Sequence, residues 1–125
     1  MPPLENADKP VKTNRKIILS GKNGQAHALL VDLSAQHAGV ISQRGAKEGT
    51  ELELIFEIPA FKQFVTLALS AVVSHRHRAK EGVYLKFSFT RNTPEEQAAL
   101  EDFLAYKHRL LEMGRQQAHP HESLE

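Results

Sequence analysis

Residues 51–58 alternate between charged and apolar side chains with an almost unbroken period of two. Such alternation is typical of a β-strand that is buried on one face and solvated on the other. The solvated face carries Glu51, Glu53 and Glu57, which we interpret as a wet surface rather than as paired catalytic carboxylates. The apolar face carries Leu52, Leu54, Phe56 and Ile58. Because this face must be covered, the chain has to supply further strands and a second apolar surface.

Five other segments have strand character and are separated by residues that favour turns. The predicted strands cover residues 15–20, 26–31, 39–42, 64–76 and 82–89, in addition to 51–58. The turns between them are marked by glycines at 21, 24, 45 and 49 and by Pro59. Residues 94–113 then change to a helical period, and Thr93 with Glu96 predicts a capping box at its start. The sequence therefore predicts an all-β fold, a small antiparallel six-stranded barrel with a C-terminal α-helix packed on it.

The apolar faces of the strands and of the helix predict one shared core. Its predicted members are Leu52, Leu54, Phe56, Leu67, Leu69, Val83, Leu85, Phe87, Leu100, Phe103 and Leu104. The helical stripe continues to Leu110 and Leu111, and Gly114 is the predicted end of the helix. The N-terminal segment is rich in proline and polar side chains, which favours a mobile chain. The predicted organisation is a flexible arm, a folded domain and a disordered tail at residues 1–13, 14–113 and 114–125.

The composition limits which partners and chemistries to consider. The chain has the size of one domain, and its 16 basic and 15 acidic residues give a net charge of +1, which attracts no polyanion strongly. The absence of cysteine excludes disulfides, thiolate catalysis and cysteine-ligated zinc. No secretory signal or apolar run of about 18 residues is present, which predicts a cytoplasmic protein without membrane insertion. Since no catalytic motif is present either, we expect neither enzymatic activity nor a cofactor.

A basic segment, His75-Arg76-His77-Arg78, follows the longest apolar run. His75 and His77 would share one strand face, as two metal ligands do, but the sequence supplies no identifiable third ligand. The simpler interpretation is a charged strand end, so we predict no metal site. The segment is short and exposed aromatic residues are few, so a barrel that binds single-stranded nucleic acid is the least favoured function.

Between the second and third predicted strands lies the polar stretch Asp-Leu-Ser-Ala-Gln-His-Ala-Gly, residues 32–39. Asp32 and Ser34 have short side chains that hydrogen-bond nearby backbone, and Gly39 can adopt backbone angles closed to other residues. A plain turn is sufficient to explain these three residues. The same residues, followed by the strand Gly-Thr-Glu-Leu-Glu-Leu and by Ile-Pro, resemble the loop and the next strand of the PilZ domain family. The resemblance covers residues 14–104.

The resemblance to PilZ domains implies a bacterial regulatory module, since many members bind the second messenger cyclic di-GMP. It implies a receptor or adaptor that acts on a protein partner and alters motility, surface polysaccharide or a related output. In the family loop, Asp32 and Ser34 would face the guanine edges and phosphates of the ligand. His37 stands where the family has its first glycine, and Gly39 resembles a second one. We expect His37 to obstruct a nucleotide, because it has a ring and resists positive φ.

The arginine pair of the family, Arg-x-x-x-Arg, would fall near Asn6 and Pro10, where this chain has no arginine. The nearest cations are Lys9, Lys12, Arg15 and Lys16. Lysine binds phosphate as a point charge and lacks the bidentate fork and flat stacking surface of arginine. We therefore expect direct binding of cyclic di-GMP to be weak or lost, with the barrel or the helix binding a protein. The alternative is a genuine receptor in which the cations of the arm enclose the dinucleotide together with the loop.

Overall fold

The computed structural model describes residues 9–116, and its elements follow the predicted order. The strands and helix are β1 (Val11–Gly21), β2 (Gly24–Leu33), β3 (His37–Ser42), β4 (Glu51–Ala60), β5 (Gln63–Ala79), β6 (Gly82–Arg91) and α1 (Pro94–Gln116). All neighbouring strands pair antiparallel, and the sheet closes into a barrel in the order β1-β2-β3-β6-β5-β4. This architecture confirms the predicted six-stranded barrel with a C-terminal helix. Within residues 9–116, no helix combines the length and the apolar character needed to cross a membrane.

The core is a single cluster of apolar side chains that fills the barrel and the space under α1. Nine of the predicted core residues belong to its buried part, with Leu54, Leu69, Leu85, Phe87, Leu100 and Phe103 fully inaccessible to solvent. Leu52 and Val83 are partly buried and pack against the same cluster. The two apolar periods therefore meet in one core, as the alternation of β4 and the helical stripe required.

Helix α1 begins with the predicted capping box. The backbone N–H of Thr93 donates to Glu96 Oε1 at 2.9 Å, and the backbone N–H of Glu96 donates to Thr93 Oγ1 at 3.1 Å. The first half of the helix packs on β4, β1 and β5, where the side chain of Leu104 is 1% exposed. Leu110 and Leu111, which continue the apolar spacing but were not predicted core residues, are 44% and 54% exposed. The fully buried part of the helix ends at Leu104, and Lys107 and His108 beyond it are partly buried.

The boundaries of the folded domain differ from those predicted. Val11 is 1% exposed and begins β1, so the last three residues of the predicted arm, residues 11–13, belong to the barrel. Helix α1 continues through Gly114 to Gln116, so the predicted stop at this glycine and the first residues of the predicted tail were also wrong. Residues 9 and 10 are exposed and precede β1, whereas residues 1–8 of the predicted arm and residues 117–125 of the predicted tail lie outside the described range.

Strand β4 does not end at Pro59, because it continues to Ala60 and pairs with β5 along its whole length. The pairing of β1 with β4 stops at Phe56, so one side of β4 has no neighbouring strand at the proline. A proline is tolerated there, since its missing N–H interrupts no second ladder. The turn to β5 consists of Phe61 and Lys62, both with positive φ, at 55° and 64°.

Candidate ligand site

Asp32 and Gly39 lie in paired strands rather than in a long loop. Strand β2 runs to Leu33 and β3 begins at His37, which leaves residues 34–36 as the connecting turn. The prediction of an irregular segment over residues 32–39 was therefore wrong. Asp32 stands directly opposite Gly39 across the β2–β3 ladder, next to a bulge between Leu30 and Asp32. The carboxylate is thus placed by sheet register, not by loop conformation.

A row of side chains crosses four strand pairs on the outer face of the barrel. Asp32 is opposite Lys12 of β1 on one side and Gly39 of β3 on the other. Gly39 is opposite Lys86 of β6, which in turn is opposite His75 of β5. Directly opposed residues in antiparallel strands point to the same face. The row therefore places Lys12 on the strand next to that of Asp32, Lys86 two strands away and His75 three strands away.

Tyr84 of β6 reaches over Gly39 to the carboxylate. Its hydroxyl donates a hydrogen bond to Asp32 Oδ2 at 3.1 Å. A β-carbon added to Gly39 would overlap both carboxylate oxygens of Asp32 and the Tyr84 hydroxyl. Among residues 9–116 the glycines with positive φ are Gly24, Gly49 and Gly82, so the backbone of Gly39 does not require a glycine. Gly39 is needed because it has no side chain, which leaves space for the hydrogen bond between Tyr84 and Asp32. The expectation that its value lies in unusual backbone angles was wrong.

The phenol of Tyr84 is held in its neutral, donating form. Burial, the negative charge of Asp32 and the hydrogen bond to Asp32, in that order of size, raise the pKa of Tyr84 from 10.0 to about 12. The ring of His77 stacks on the Tyr84 ring, with centroids 4.8 Å apart and planes 21° from parallel. The site therefore contains a neutral phenol that is hydrogen-bonded to Asp32 and whose ring stacks on the ring of His77.

Ser34 and His37 form the turn that joins β2 to β3. The backbone N–H of Ser34 donates to the His37 carbonyl at 2.8 Å, and the backbone N–H of His37 donates to Ser34 Oγ at 3.1 Å. Ser34 is 2% exposed, so its hydroxyl serves the turn. His37 pairs with Ser88 in β3, and its φ is not positive, so the expected backbone conflict at this position does not arise.

The cations named from the sequence separate into two groups. Lys12 lies in the row with Asp32, and Lys16 is exposed opposite Leu29 on the same strand pair. Lys9 is exposed just before β1. Arg15 is directed elsewhere: its Nη1 donates to the Glu57 carbonyl at 3.3 Å, and its Cζ lies 5.3 Å from the Phe103 ring centroid. The structure therefore brings Lys12 to the carboxylate, whereas Arg15 lies against the helix.

Sequence reasoning did not identify Tyr84, Lys86 or His77 as site residues. The alternation of β6 already assigned Tyr84 and Lys86 to its outer face, but only the register shows which strands they meet. His75 and His77 share the outer face of β5 as predicted and are exposed. In the part of the chain that the structure describes, no three His, Asp or Glu side chains come close enough to hold a metal ion.

The outer-face row offers three kinds of contact to a ligand. A carboxylate accepts hydrogen bonds from the N–H edge of a guanine, lysine ammonium groups bind phosphate, and stacked rings provide a platform for a base. All three are present, but Tyr84 already occupies one oxygen of Asp32. A separate open depression of about 550 Å³, lined by Leu19, Leu52 and Arg44 among others, lies at the other end of the barrel, beside the β1–β2 turn. It contains none of the predicted site residues.

A family model for the PilZ domain matches residues 6–106. The match covers most of the chain, and the closed barrel with its C-terminal helix agrees with it. The chain belongs to the PilZ domain family. PilZ domains are regulatory modules of cyclic di-GMP signalling that act as receptors or adaptors.

Three solved structures share the fold at low sequence identity. MotI/DgrA, an inhibitor of motility from Bacillus subtilis, has a TM-score of 0.73 at 18% identity, over 85% of this chain and 51% of that one. The PilZ domain of YcgR from Escherichia coli with c-di-GMP has a TM-score of 0.66 at 12% identity, over 87% of this chain and 95% of that one. The PilZ domain of CeSA from a cellulose-synthesizing bacterium has a TM-score of 0.54 at 13% identity, over 83% of this chain and 99% of that one. This chain therefore spans about half the length of MotI, and no curated protein sequence matches it.

Proposed function

We propose that this PilZ domain is a cytoplasmic regulatory module of bacterial cyclic di-GMP signalling that acts on a protein partner, with direct binding of the dinucleotide weak or lost. The observation that carries the proposal is the hydrogen bond from Tyr84 to Asp32 above Gly39. A guanine can use this carboxylate fully only after displacing the phenol. A hydrogen bond to a charged group contributes about 1.5–3 kcal/mol, so the competition costs the ligand about tenfold or more in affinity.

The cations beside Asp32 support the same proposal. Lys12 and Lys86 supply point charges in the row, whereas a bidentate guanidinium is absent among the residues that the structure places in it. Losing two charge-assisted contacts costs about 3 kcal/mol, which is about a hundredfold in affinity. Replacement of Asn6 and Pro10 by arginine, at the spacing of the family pair, is expected to restore at least that much.

The deciding experiment is a calorimetric titration of the unaltered chain with cyclic di-GMP at physiological salt. We expect no resolved heat, or a dissociation constant far above the micromolar range. A sub-micromolar constant would refute the proposal that the nucleotide site is degenerate. Thermal unfolding of the same sample shows whether the protein was folded, so that an absent signal is not mistaken for unfolded protein.

Substitutions at the carboxylate sharpen the titration. Tyr84→Phe removes the competing hydrogen bond and is expected to raise the affinity about tenfold. Asp32→Ala is expected to abolish whatever binding remains. Gln25→Ala, at an exposed position near the start of β2, is the control and is expected to change nothing. If Tyr84→Phe leaves the affinity unchanged or lowers it, the phenol does not compete with the ligand.

The alternative, a genuine receptor, is favoured by one observation. Lys12 stands directly opposite Asp32, at the point where the N-terminal segment enters β1. Cations on that segment could close over a ligand bound at the row. In that case binding is strong at low salt and falls steeply as salt rises, because exposed lysine contacts are screened. Lys12→Ala would then weaken binding as much as Asp32→Ala does.

A further inference from the structure

The end of the barrel away from the row around Asp32 opens into the depression of about 550 Å³ described above. We call it the barrel-mouth depression. It is lined by the β1–β2 turn, the loop between β3 and β4, and the adjoining ends of the strands. Small-molecule sites have volumes of about 300–1,000 Å³ and are frequently found in the mouths of β-barrels. The size and the place of the depression both fit such a site.

The floor of the barrel-mouth depression is apolar. Leu19, Leu52 and Leu85 line it, and each belongs to the core cluster or packs against it. Ala26 stands directly opposite Leu19 in the β1–β2 ladder, so the two side chains point to the same inner face. Ala26 and Ala46 are half-buried and also line the depression. Their small side chains leave room above the leucines for an apolar chain.

The rim carries cations that have no carboxylate partner. Lys22 of the β1–β2 turn and Arg44 of the β3–β4 loop line the depression, are exposed, and form no ion pair within the described part of the chain. Arg76 of β5 is close to the rim, since its Nη1 would lie 3.6 Å from a β-carbon on Gly45. The lining contains one carboxylate, that of Glu51. The charge at the mouth is therefore positive on balance, which favours an anionic ligand.

Hydrogen bonds hold the β3–β4 loop against β5 and the β5–β6 turn. Gln43 Nε2 donates to the Glu81 carbonyl at 2.9 Å, and the Gly49 N–H donates to the Val73 carbonyl at 2.8 Å. The Val73 N–H donates back to the carbonyl of the residue after Gly49, at 2.9 Å. Arg44 therefore stands on a loop that is fixed at both ends. Less ordering is needed when a side chain on such a loop binds a ligand.

Ser42 adds a buried hydroxyl to the lining. It is 2% exposed and stands opposite Val83, on the inner face of the barrel. Its Oγ accepts the backbone N–H of Arg44 at 3.2 Å, and its hydroxyl proton has no acceptor among residues 9–116. A hydroxyl can accept and donate at the same time, so Ser42 can donate to an oxygen of a ligand bound at Arg44.

An apolar floor beneath an unpaired cationic rim matches a molecule with an apolar chain and one anionic group. A fully polar anion would leave the floor in water, and an uncharged chain would leave the cations without a counterion. We propose that the barrel-mouth depression binds such an anionic amphiphile, with its chain on the leucines and its carboxylate or phosphate at Arg44 and Lys22. The site is separate from the row around Asp32, because none of the residues of that row line it.

Titration of the isotope-labelled full chain with octyl phosphate and with octanoate, each below its micelle concentration, tests the proposal by nuclear magnetic resonance. We expect the amide signals of Gly21, Gly45 and Ala46 to shift saturably, while that of Gly39 stays in place. Octanol has the chain without the charge and should bind at least tenfold more weakly, because a charge-assisted contact is lost. The ratio of the two anion affinities shows whether phosphate or carboxylate is preferred. No saturable shift with either anion, or equal binding of octanol, would overturn the proposal.

Substitutions separate the rim from the floor. Arg44→Gln should weaken octyl phosphate binding about tenfold and leave octanol binding unchanged. Lys80→Gln is the matched control, because Lys80 is an exposed cation of the β5–β6 turn that does not line the depression. Ala26→Phe should fill the floor and weaken both anions at least tenfold, with circular dichroism showing that the barrel is intact. Equal effects of Arg44→Gln and Lys80→Gln, or unchanged binding in Arg44→Gln, would contradict the assignment.

Discussion

Tyr84 should release its proton about two pH units later than an ordinary tyrosine. Its pKa is raised from 10.0 to about 12, with burial as the largest cause, the charge of Asp32 second and the hydrogen bond to Asp32 third. Each of these causes disfavours the phenolate form of Tyr84. The phenolate is poorly solvated when buried, is repelled by the carboxylate and has no proton to donate to it. Removal of the charge at Asp32 separates its effect on the pKa of Tyr84 from the effect of burial.

The charge of Asp32 explains only part of the shift. Two unit charges about 4 Å apart interact by about 1 kcal/mol in water-like surroundings, which is less than one pKa unit. Tyr84 is partly exposed, so screening by water applies to it. Asp32→Asn removes the charge and keeps an acceptor, so it should lower the pKa of Tyr84 and still leave it above 10.

The tyrosinate absorbance in the ultraviolet measures this titration. Tyr106 is the other tyrosine of the chain, so the measurement is made in Tyr106→Phe protein, where only Tyr84 contributes. Circular dichroism at each pH shows the range in which the protein is folded. A pKa near 10 in the folded protein, or no change on Asp32→Asn, would refute the reasoning from burial and charge.

The same shift predicts a loss of stability at high pH. Between pH 10 and 12 the folded state keeps a proton on Tyr84 that the unfolded state has lost, so stability falls as pH rises through this range. Below pH 10 the contribution is fully present. The free energies of unfolding of the unaltered chain and of Tyr84→Phe, measured with a chemical denaturant, should therefore differ less at pH 11 than at pH 8. An equal difference at both values would count against the linkage.

Three further experiments test the site, the core and the strained turn. Gly39→Ala should lower the free energy of unfolding by about 1 kcal/mol and lower the pKa of Tyr84, because the added carbon displaces the flexible ends of Asp32 and Tyr84. Urea unfolding measures the first effect, and the tyrosinate titration measures the second. Phe103→Ala should cost about 3–5 kcal/mol, whereas Leu111→Ala, at an exposed position, should stay within about 0.5 kcal/mol. Phe61→Asn with Lys62→Gly should raise stability by about 1 kcal/mol, visible as a higher melting temperature, since it relieves two positive φ angles.

The strands, the core and the helix start could be predicted because their signals are local. Period-two alternation over residues 51–58 needs only the geometry of one strand, and the capping box needs only Thr93 and Glu96. The exposure of Leu110 could not be predicted in this way. Periodicity shows which residues share a helix face, but it does not show how far the covering barrel extends along the helix.

The candidate site could be predicted only in part, because its geometry depends on strand register. Asp32 was identified from its motif, but its hydrogen-bond partner Tyr84 is 52 residues away in the sequence. The two meet only through the pairing of β2 with β3 and of β3 with β6, and a bulge next to Asp32 shifts that pairing. Arg15 lies outside the row around Asp32 for a related reason, since the register of β1 shifts between Lys12 and Arg15.

Strand β1 contacts both the row around Asp32 and helix α1, and two of its cations should therefore have separable effects. Arg15 donates to the Glu57 carbonyl and lies over the Phe103 ring, contacts that join β1 to β4 and to the helix. Arg15→Ala should cost about 1 kcal/mol and speed amide hydrogen exchange in α1, while leaving any residual affinity for cyclic di-GMP unchanged. Lys12→Ala should do the reverse, because Lys12 is exposed and opposite Asp32. If Arg15→Ala weakened nucleotide binding as much as Lys12→Ala, the division of β1 between the two surfaces would be wrong, and the guanidinium would have to leave Phe103 when the ligand binds.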